Sequence, residues 1–389
     1  MHLLRVQVPD FRGLKDIDIT FEKDFVPKIF PLGSQNGGGK STLLQLIFVL
    51  LHCSVDKNKK PFVQNLLQGV KLLAGEEKKL AIIDIWDGEK IVNLEFYCQS
   101  FVAENYIPQP DFISDENNII DICYVEKVKE KIDNDDITTL MFTESKLITE
   151  LKCRFNNQSQ EQAISLLEKI SHKIFLAAPS TQVFLFLPQI YKKLLFRGSS
   201  KGDGGYYGIL DSAKSALKGL FTYDFLAVEL LIKLFLDARD RDFREAIKTG
   251  NYGNNYQTII KDLNLLLGNK RINLDEDFAG VNFKLYNNGE TIELYPEDFS
   301  HGELKRLSIY VWLKFRNIED AIVLMDEIEI AFHPDWQYQI ISDLKEWTPS
   351  NQYILATHSY ALCEALTPAH VKEIEPKLIK QESNIRNES

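Results

Sequence analysis

Cysteine is sparse in this chain of 389 residues, with five thiols, Cys53, Cys98, Cys123, Cys153 and Cys363, far apart and odd in number. No pair has the spacing of a metal-ligand couple, which speaks against a cysteine-built metal site and leaves reduced thiols of a cytoplasmic protein as the expectation. Long apolar runs are missing as well: none approaches the ~18–20 residues that span a bilayer. The first residues show a strand-like alternation of Leu4, Val6 and Val8 in place of a signal-peptide pattern. Sustained heptads are absent, so no long coiled-coil arm is expected. Positive charge is in deficit, with 45 Lys and Arg against 56 Asp and Glu, a net −11 that disfavours non-specific nucleic-acid or membrane binding. What is present is ordinary globular material, 44% hydrophobic and 26% charged, enough for a large core in one large or two modest domains.

Leu4–Val8 and Ile17–Phe21 alternate with period two and predict paired strands, with Phe11-Arg12-Gly13 in the turn. Asp87-Gly88 predicts a two-residue hairpin between Ala81–Trp86 and Lys90–Cys98. Ala163, Leu166, Leu167 and Ile170 predict a helix from about Glu161. Ile174–Leu187 reads as a strand with a loop at Pro179, and helices are expected at Phe225–Ala238, Phe243–Lys248 and Tyr256–Leu267. The glycine-rich 197–208 reads as a surface insertion. Val281, Phe283 and Leu285 run into Asn288-Gly289, a second hairpin returning through Ile292 and Leu294. Ser300–Phe315 and the segment after His333-Pro334 are predicted helices, and Ala321–Asp326 and Tyr353–Thr357 buried strands.

The chemistry gathers at four points. Ser34-Gln35-Asn36-Gly37-Gly38-Gly39-Lys40-Ser41-Thr42 lies between Lys28–Leu32 and an apolar helix over Leu43–Leu51. Glycines there let successive N–H groups turn around phosphates, the lysine reaches the β and γ phosphates, and the next hydroxyl sits on the metal. The ligand this implies is ATP or a related triphosphate with Mg²⁺. Ser34 stands where the usual loop opens with glycine. Val323-Leu324-Met325-Asp326-Glu327 is a buried strand ending in two acids, one suited to Mg²⁺ and one to polarising water. Two acids at a strand end also read as solvated turn residues. Ser300-His301-Gly302-Glu303 is a helix capping box, and its free N–H groups and hydroxyl also suit a γ-phosphate. His358 follows the last buried strand, where a γ-phosphate sensor would stand.

In this order the chain resembles an ATP-binding-cassette (ABC) type ATPase of the soluble branch that includes SMC-like and OLD-like proteins. Asp326-Glu327-Ile328-Glu329-Ile330-Ala331-Phe332-His333-Pro334-Asp335-Trp336-Gln337 is similar to that branch's Asp-Glu-Pro-Glu-x-x-Leu-His-Pro-x-x-Gln, with Ile328 replacing the proline. The resemblance implies that Lys40 binds phosphate, with Asn36, Gly37, Gly38, Gly39 and Thr42 around the nucleotide. It implies Ser41 and Asp326 on Mg²⁺, Glu327 as the catalytic carboxylate and His358 as the switch histidine. Ser300, Gly302 and Glu303 would meet a nucleotide held mainly by a second copy, so ATP would join two copies. Arg12 resembles the residue near the base and phosphates. Gln99 and Gln182 are both candidates for the glutamine between the lobes, with Gln182 preferred.

The expected fold is α/β: an ABC-ATPase head with a β-rich N-terminal lobe carrying the phosphate loop, a mixed or parallel core sheet and an inserted helical lobe. Residues 1–375 would form one ATPase domain, divided at 1–190, 191–275 and 276–375, followed by a polar tail at 376–389. A transporter ATPase has its signature much nearer the phosphate loop than the 260 residues from Lys40 to Ser300. Chromosome and repair ATPases carry long arms, and OLD nucleases a further domain, whereas 31 residues follow His358. The remaining resemblance is to ATPase subunits of antiphage systems such as Septu, retrons and PARIS. It implies a homodimer or larger oligomer controlling a separate effector such as a nuclease, with no membrane partner. An SMC-like DNA-maintenance ATPase is the alternative. Nucleic-acid contact stays open, through basic residues such as Lys192, Lys193, Arg197 and Lys201.

Overall fold

The computed structural model describes residues 1–35, 37–68, 70–102, 114–115, 119–127, 147–155, 160–187, 212–223, 228–275, 280–287, 290–295 and 298–374. Asn36, the turn at 288–289, the stretch 197–208, the basic residues from 192 to 201 and the tail at 376–389 lie outside them.

The alternation near the start becomes β1 (His2–Phe11) and β2 (Leu14–Thr20), antiparallel around Arg12-Gly13, with Val6, Val8, Phe11, Leu14, Ile17 and Ile19 turned into the core. The chain then leaves this sheet through β3 (Ile29–Gly33) and returns as β4 (Glu77–Trp86) and β5 (Ile91–Val102). With β6 (Ser114–Asp115), β7 (Ile119–Lys127) and β8 (Leu147–Phe155) the sheet has the order β2-β1-β4-β5-β8-β7-β6. The turn at Asp87-Gly88 is longer than the expected two residues, since Trp86 pairs with Ile91. The Asp87 carboxylate accepts the N–H groups of Glu89 and Lys90 at 2.7 and 2.9 Å, closing a four-residue turn by side-chain bonds.

β3 itself joins a second sheet, so the β-rich lobe does not supply the strand before the phosphate loop. That sheet is parallel, ordered β10-β9-β14-β15-β3-β16, from β9 (Ile174–Ala178), β10 (Leu220–Thr222), β14 (Ile322–Asp326), β15 (Gln352–Ala356) and β16 (Lys372–Glu373). Between the two sheets runs α1 (Lys40–Phe48), which continues as the π-helical turn Val49–Cys53. Every residue from Leu43 to Leu51 is buried, as a helix apolar on all sides requires. α2 (Lys60–Leu67) and α3 (Gln160–Ser171) complete that layer, with Ala163, Leu166, Leu167 and Ile170 inward.

The helices expected at 225–238 and 243–248 are one, α4 (Val228–Thr249), followed by α5 (Asn255–Leu267). The charged stretch 237–242 holds no glycine or proline to break it. Asp242 instead accepts the N–H groups of Asn255 and Tyr256 and ties the two helices together. β11 (Lys270–Leu274), β12 (Val281–Asn287) and β13 (Glu290–Leu294) form a third, antiparallel sheet packed on this hairpin. α6 (His301–Phe315) and α7 (Pro334–Trp347) cover the free face of the parallel sheet, and α8 (Tyr360–Glu364) follows β15. α6 serves two cores, with Ile309, Trp312 and Leu313 on the sheet and Leu307, Tyr310 and Val311 on α4 and α5. The fold is α/β, a parallel sheet flanked by helices beside two antiparallel sheets. Among the described residues no helix is long and apolar enough to cross a membrane.

Candidate functional site

Parallel strands bring all their carboxyl ends to one edge, where ligands of open α/β sheets bind. Four of the strands end there in residues singled out above. β3 runs into the loop at 34–42, β14 ends at Asp326-Glu327, β15 leads to His358, and β9 to the short helix Ser180–Phe186 with Gln182. Gln99 lies instead within β5, opposite Glu77 and Glu150 in the antiparallel sheet.

In the loop, Gly37 and Gly39 have φ of 79° and 90°, a left-handed geometry that suits glycine. A Cβ on Gly38 would come within 2.3 Å of Ser34 Oγ, and one on Gly39 within 2.5 Å of the Leu14 side chain. The second contact seats the tip of the β1–β2 hairpin on the loop. Arg12, at that tip, donates from Nη2 to the carbonyls of Asn65 and Leu66 at the end of α2. The serine at position 34 takes part in the loop: Lys40 Nζ donates to its carbonyl at 3.1 Å and its Oγ at 3.0 Å. The same ammonium lies 3.0 Å from His358 Nε2. An ammonium only donates, so the imidazole accepts. Burial lowers the pKa of Lys40, while Asp326, Glu329 and Glu327 oppose the shift.

Asp326 is buried and hydrogen-bonded to the Ser41 hydroxyl. Burial, with Glu327 and Glu329 nearby, pushes its carboxyl up to about 6 against the pull of Ser41 and Lys40. Glu327 follows with φ 52°, held by its N–H to the Ala356 carbonyl at 3.0 Å. Such strained backbone persists where the surroundings over-determine it, and it clusters at functional sites. A buried amine, a helix N-terminus and a carboxylate–hydroxyl pair together suit a phosphate chain carrying a divalent cation. Thr42 stands half-buried on the first turn of α1.

Ser300 caps α6 with both halves of the box: its Oγ accepts the Glu303 N–H at 3.2 Å, and Glu303 accepts the Ser300 N–H at 2.8 Å. Lys270 holds the Glu303 carboxylate at 2.8 Å. Gly302 sits where a Cβ would lie 2.7 Å from the Ala331 carbonyl. His333 caps α7 with proline at its first position, and Gln337 bonds Ser359 at the start of α8.

Residues 180–364 match the family model described as "AAA domain, putative AbiEii toxin, Type IV TA system". That match begins at residue 180 and leaves the loop at 34–42 outside it. Two relatives are similar over short stretches. They are "Retron Vc95 probable ATPase" of Vibrio cholerae serotype O1 biovar El Tor, 38% identical over 69 residues, and "Retron Ec83 probable ATPase" of Escherichia coli, 37% identical over 51. The aligned segments cover 16% and 13% of this chain and 13% and 9% of those relatives. The Smc head solved with the C-terminal winged-helix domain of ScpA overlaps 94% of this chain and 92% of its own, at 13% identity and a TM-score of 0.43. The SMC head domain from Thermotoga maritima gives 11% and 0.40.

Two residues at this site, Lys305 and Glu329, were given no role by the sequence alone, although Glu329 stands in the quoted motif. Lys305 donates to the carbonyls of Glu327 and Ile330, and Glu329 accepts the His358 N–H at 2.8 Å. Lys305 had a signal: it lies four and seven positions before Ile309 and Trp312, on the buried stripe of α6. Glu329 had a weaker one, a third acid just past a strand end.

Proposed function

We propose that this chain binds ATP with Mg²⁺ and hydrolyses it in a site completed by a second copy. The observation that supports this most is the meeting of Lys40, the Ser41–Asp326 pair, Glu327 and His358 at one sheet edge, although Lys40 and His358 are 318 residues apart. The loop N–H groups of Gly37, Gly38 and Gly39 and the start of α1 bind the phosphates, with Asn36 and Thr42 beside them and Lys40 neutralising charge. Ser41 and Asp326 hold the cation, which when bound neutralises the phosphate oxygens. Glu327 orients and deprotonates the attacking water. His358, released from Lys40, hydrogen-bonds on the γ-phosphate side, and Gln182 senses the site from the short helix that follows β9. Arg12 flanks the loop from the hairpin tip. Ser300, exposed at the start of α6, with Gly302 and Glu303 just behind it, belongs to the nucleotide of the other copy. Closure of two copies then shifts populations only as far as ATP prefers the closed pair.

The finer reading is a sensor or scaffold subunit that holds a separate effector, a nuclease in retron-type antiphage defence. It is supported by the similarity to the two retron ATPases. Glu327→Gln tests the core reading. ATP binding persists, turnover falls by about 10²–10⁴-fold, as for loss of a general base, and an ATP-dependent dimer accumulates in sedimentation velocity. Unchanged turnover rejects Glu327 as the base. DNA cleavage by the purified chain alone refutes the division of labour, and turnover stimulated by DNA favours DNA maintenance.

A further inference from the structure

Lys305 buries an ammonium, 6% exposed, in a site where such a charge is costly unless it is fully bonded. Its Nζ donates to the Glu327 carbonyl at 3.1 Å and the Ile330 carbonyl at 3.0 Å, and stands 4.1 Å over the Tyr223 ring. Burial lowers its pKa to about 8, so it keeps its proton at neutral pH. The two carbonyls belong to a turn with two left-handed residues, Glu327 at φ 52° and Ala331 at 71°. Gly302, one turn earlier on α6, packs on the same turn through the Ala331 carbonyl. On the other side Glu329 Oε1 accepts the His358 N–H, while Oε2 is buried with no hydrogen-bond partner among the described residues. His358 in turn contacts Lys40. A continuous path of bonds thus runs from α6 through the 327–331 turn to the phosphate loop.

We propose that Lys305 is a positioning residue that ties the helix start facing a second copy to the turn presenting Glu327, with Glu329 extending the tie to His358. Engagement of α6 by the other copy's nucleotide thereby sets the catalytic carboxylate of its own chain. The proposal rests on the ATPase reading above, and it is tested first without ATP. In Lys305→Met, amide exchange over 327–332 and at His358 accelerates at least about tenfold, the equivalent of one hydrogen bond to a charged group. With ATP, kcat falls about 10²-fold, as for an ~1 Å misplacement, while the Kd for ATP stays within about twofold. Lys305→Arg restores most of the turnover, since the adjoining cavity of about 350 Å³ leaves room for the larger head. It also carries the test if the methionine variant does not fold, because its exchange over 327–332 must then match the parent's. Combined with Glu329→Gln, Lys305→Met lowers kcat by less than the product of the single effects. Unchanged exchange in Lys305→Met, altered exchange in Lys305→Arg or multiplicative effects overturn the tie. Accelerated exchange in a parent chain that hydrolyses no ATP sinks the ATPase reading and leaves the tie standing.

Discussion

Ser300 has a structural and a functional reading that one pair of variants separates. Its Oγ caps α6 by accepting the Glu303 N–H, and the same hydroxyl is proposed to meet the second copy's γ-phosphate. Ser300→Ala removes both, whereas Ser300→Asn keeps a cap of equal quality. The cap loss costs about 1 kcal/mol. Because α6 packs in two cores, that cost should appear in global unfolding, lowering Tm by about 2 °C in a chain of this size. The asparagine variant should unfold like the parent. For association, each lost hydroxyl–phosphate bond is worth about 1.5–3 kcal/mol, so two sites per dimer weaken ATP-driven pairing by about 3–6 kcal/mol. Sedimentation equilibrium with ATP in a Glu327→Gln background measures it. Both variants should fail to pair, and only the alanine one should melt early. An asparagine variant that pairs like its parent removes Ser300 from the shared site, and an alanine variant of parental stability removes the cap.

Gly302→Ala drives a methyl onto the Ala331 carbonyl and within 3.2 Å of the Trp336 ring, and should cost about 1–3 kcal/mol in urea unfolding. No loss would mean that α6 and the turn separate freely. Arg306 and Asp343 form a two-pronged pair at 2.5 and 2.8 Å, with side chains 16% and 5% exposed. Arg306→Met should cost about 3–5 kcal/mol, most of it recovered when Asp343→Leu is added; equal instability of the single and double variants contradicts this. His52, stacked on Phe48 and donating to the Ser171 carbonyl, is pushed by burial down to about 4. The unfolded chain takes up this proton at about pH 6.5 and the folded one at about 4, so stability is whole above that window and drains as pH falls through it, by about 3 kcal/mol. His52→Phe should shrink the difference between urea midpoints at about pH 7 and about pH 4.5.

Several elements were legible because their causes lie within a few residues. The capping box starts α6 at the predicted place, proline opens α7, and the apolar runs before Asp326 and His358 are the two central strands. β12 and β13 pair in the register that Phe283 and Leu294 suggest. A helix start is satisfied within three or four residues, and a buried strand is marked by its own apolarity, so composition and spacing alone determine them. The motif order likewise determined which residues were candidates. Tertiary structure decided the rest. It placed β3 in the parallel sheet, since strand partners are chosen across the chain. It tied α4 to α5 through Asp242, which accepts the N–H groups of Asn255 and Tyr256. It set Gln182 at the carboxyl edge and Gln99 in another sheet. It also made Ser34 a ligand of Lys40, and drew Lys305 and Glu329 to the Glu327 turn and His358 across 22 and 29 residues. A polar side chain in a sequence has many partners within reach, and only the folded core, where an unpaired charge is costly, selects the one it keeps.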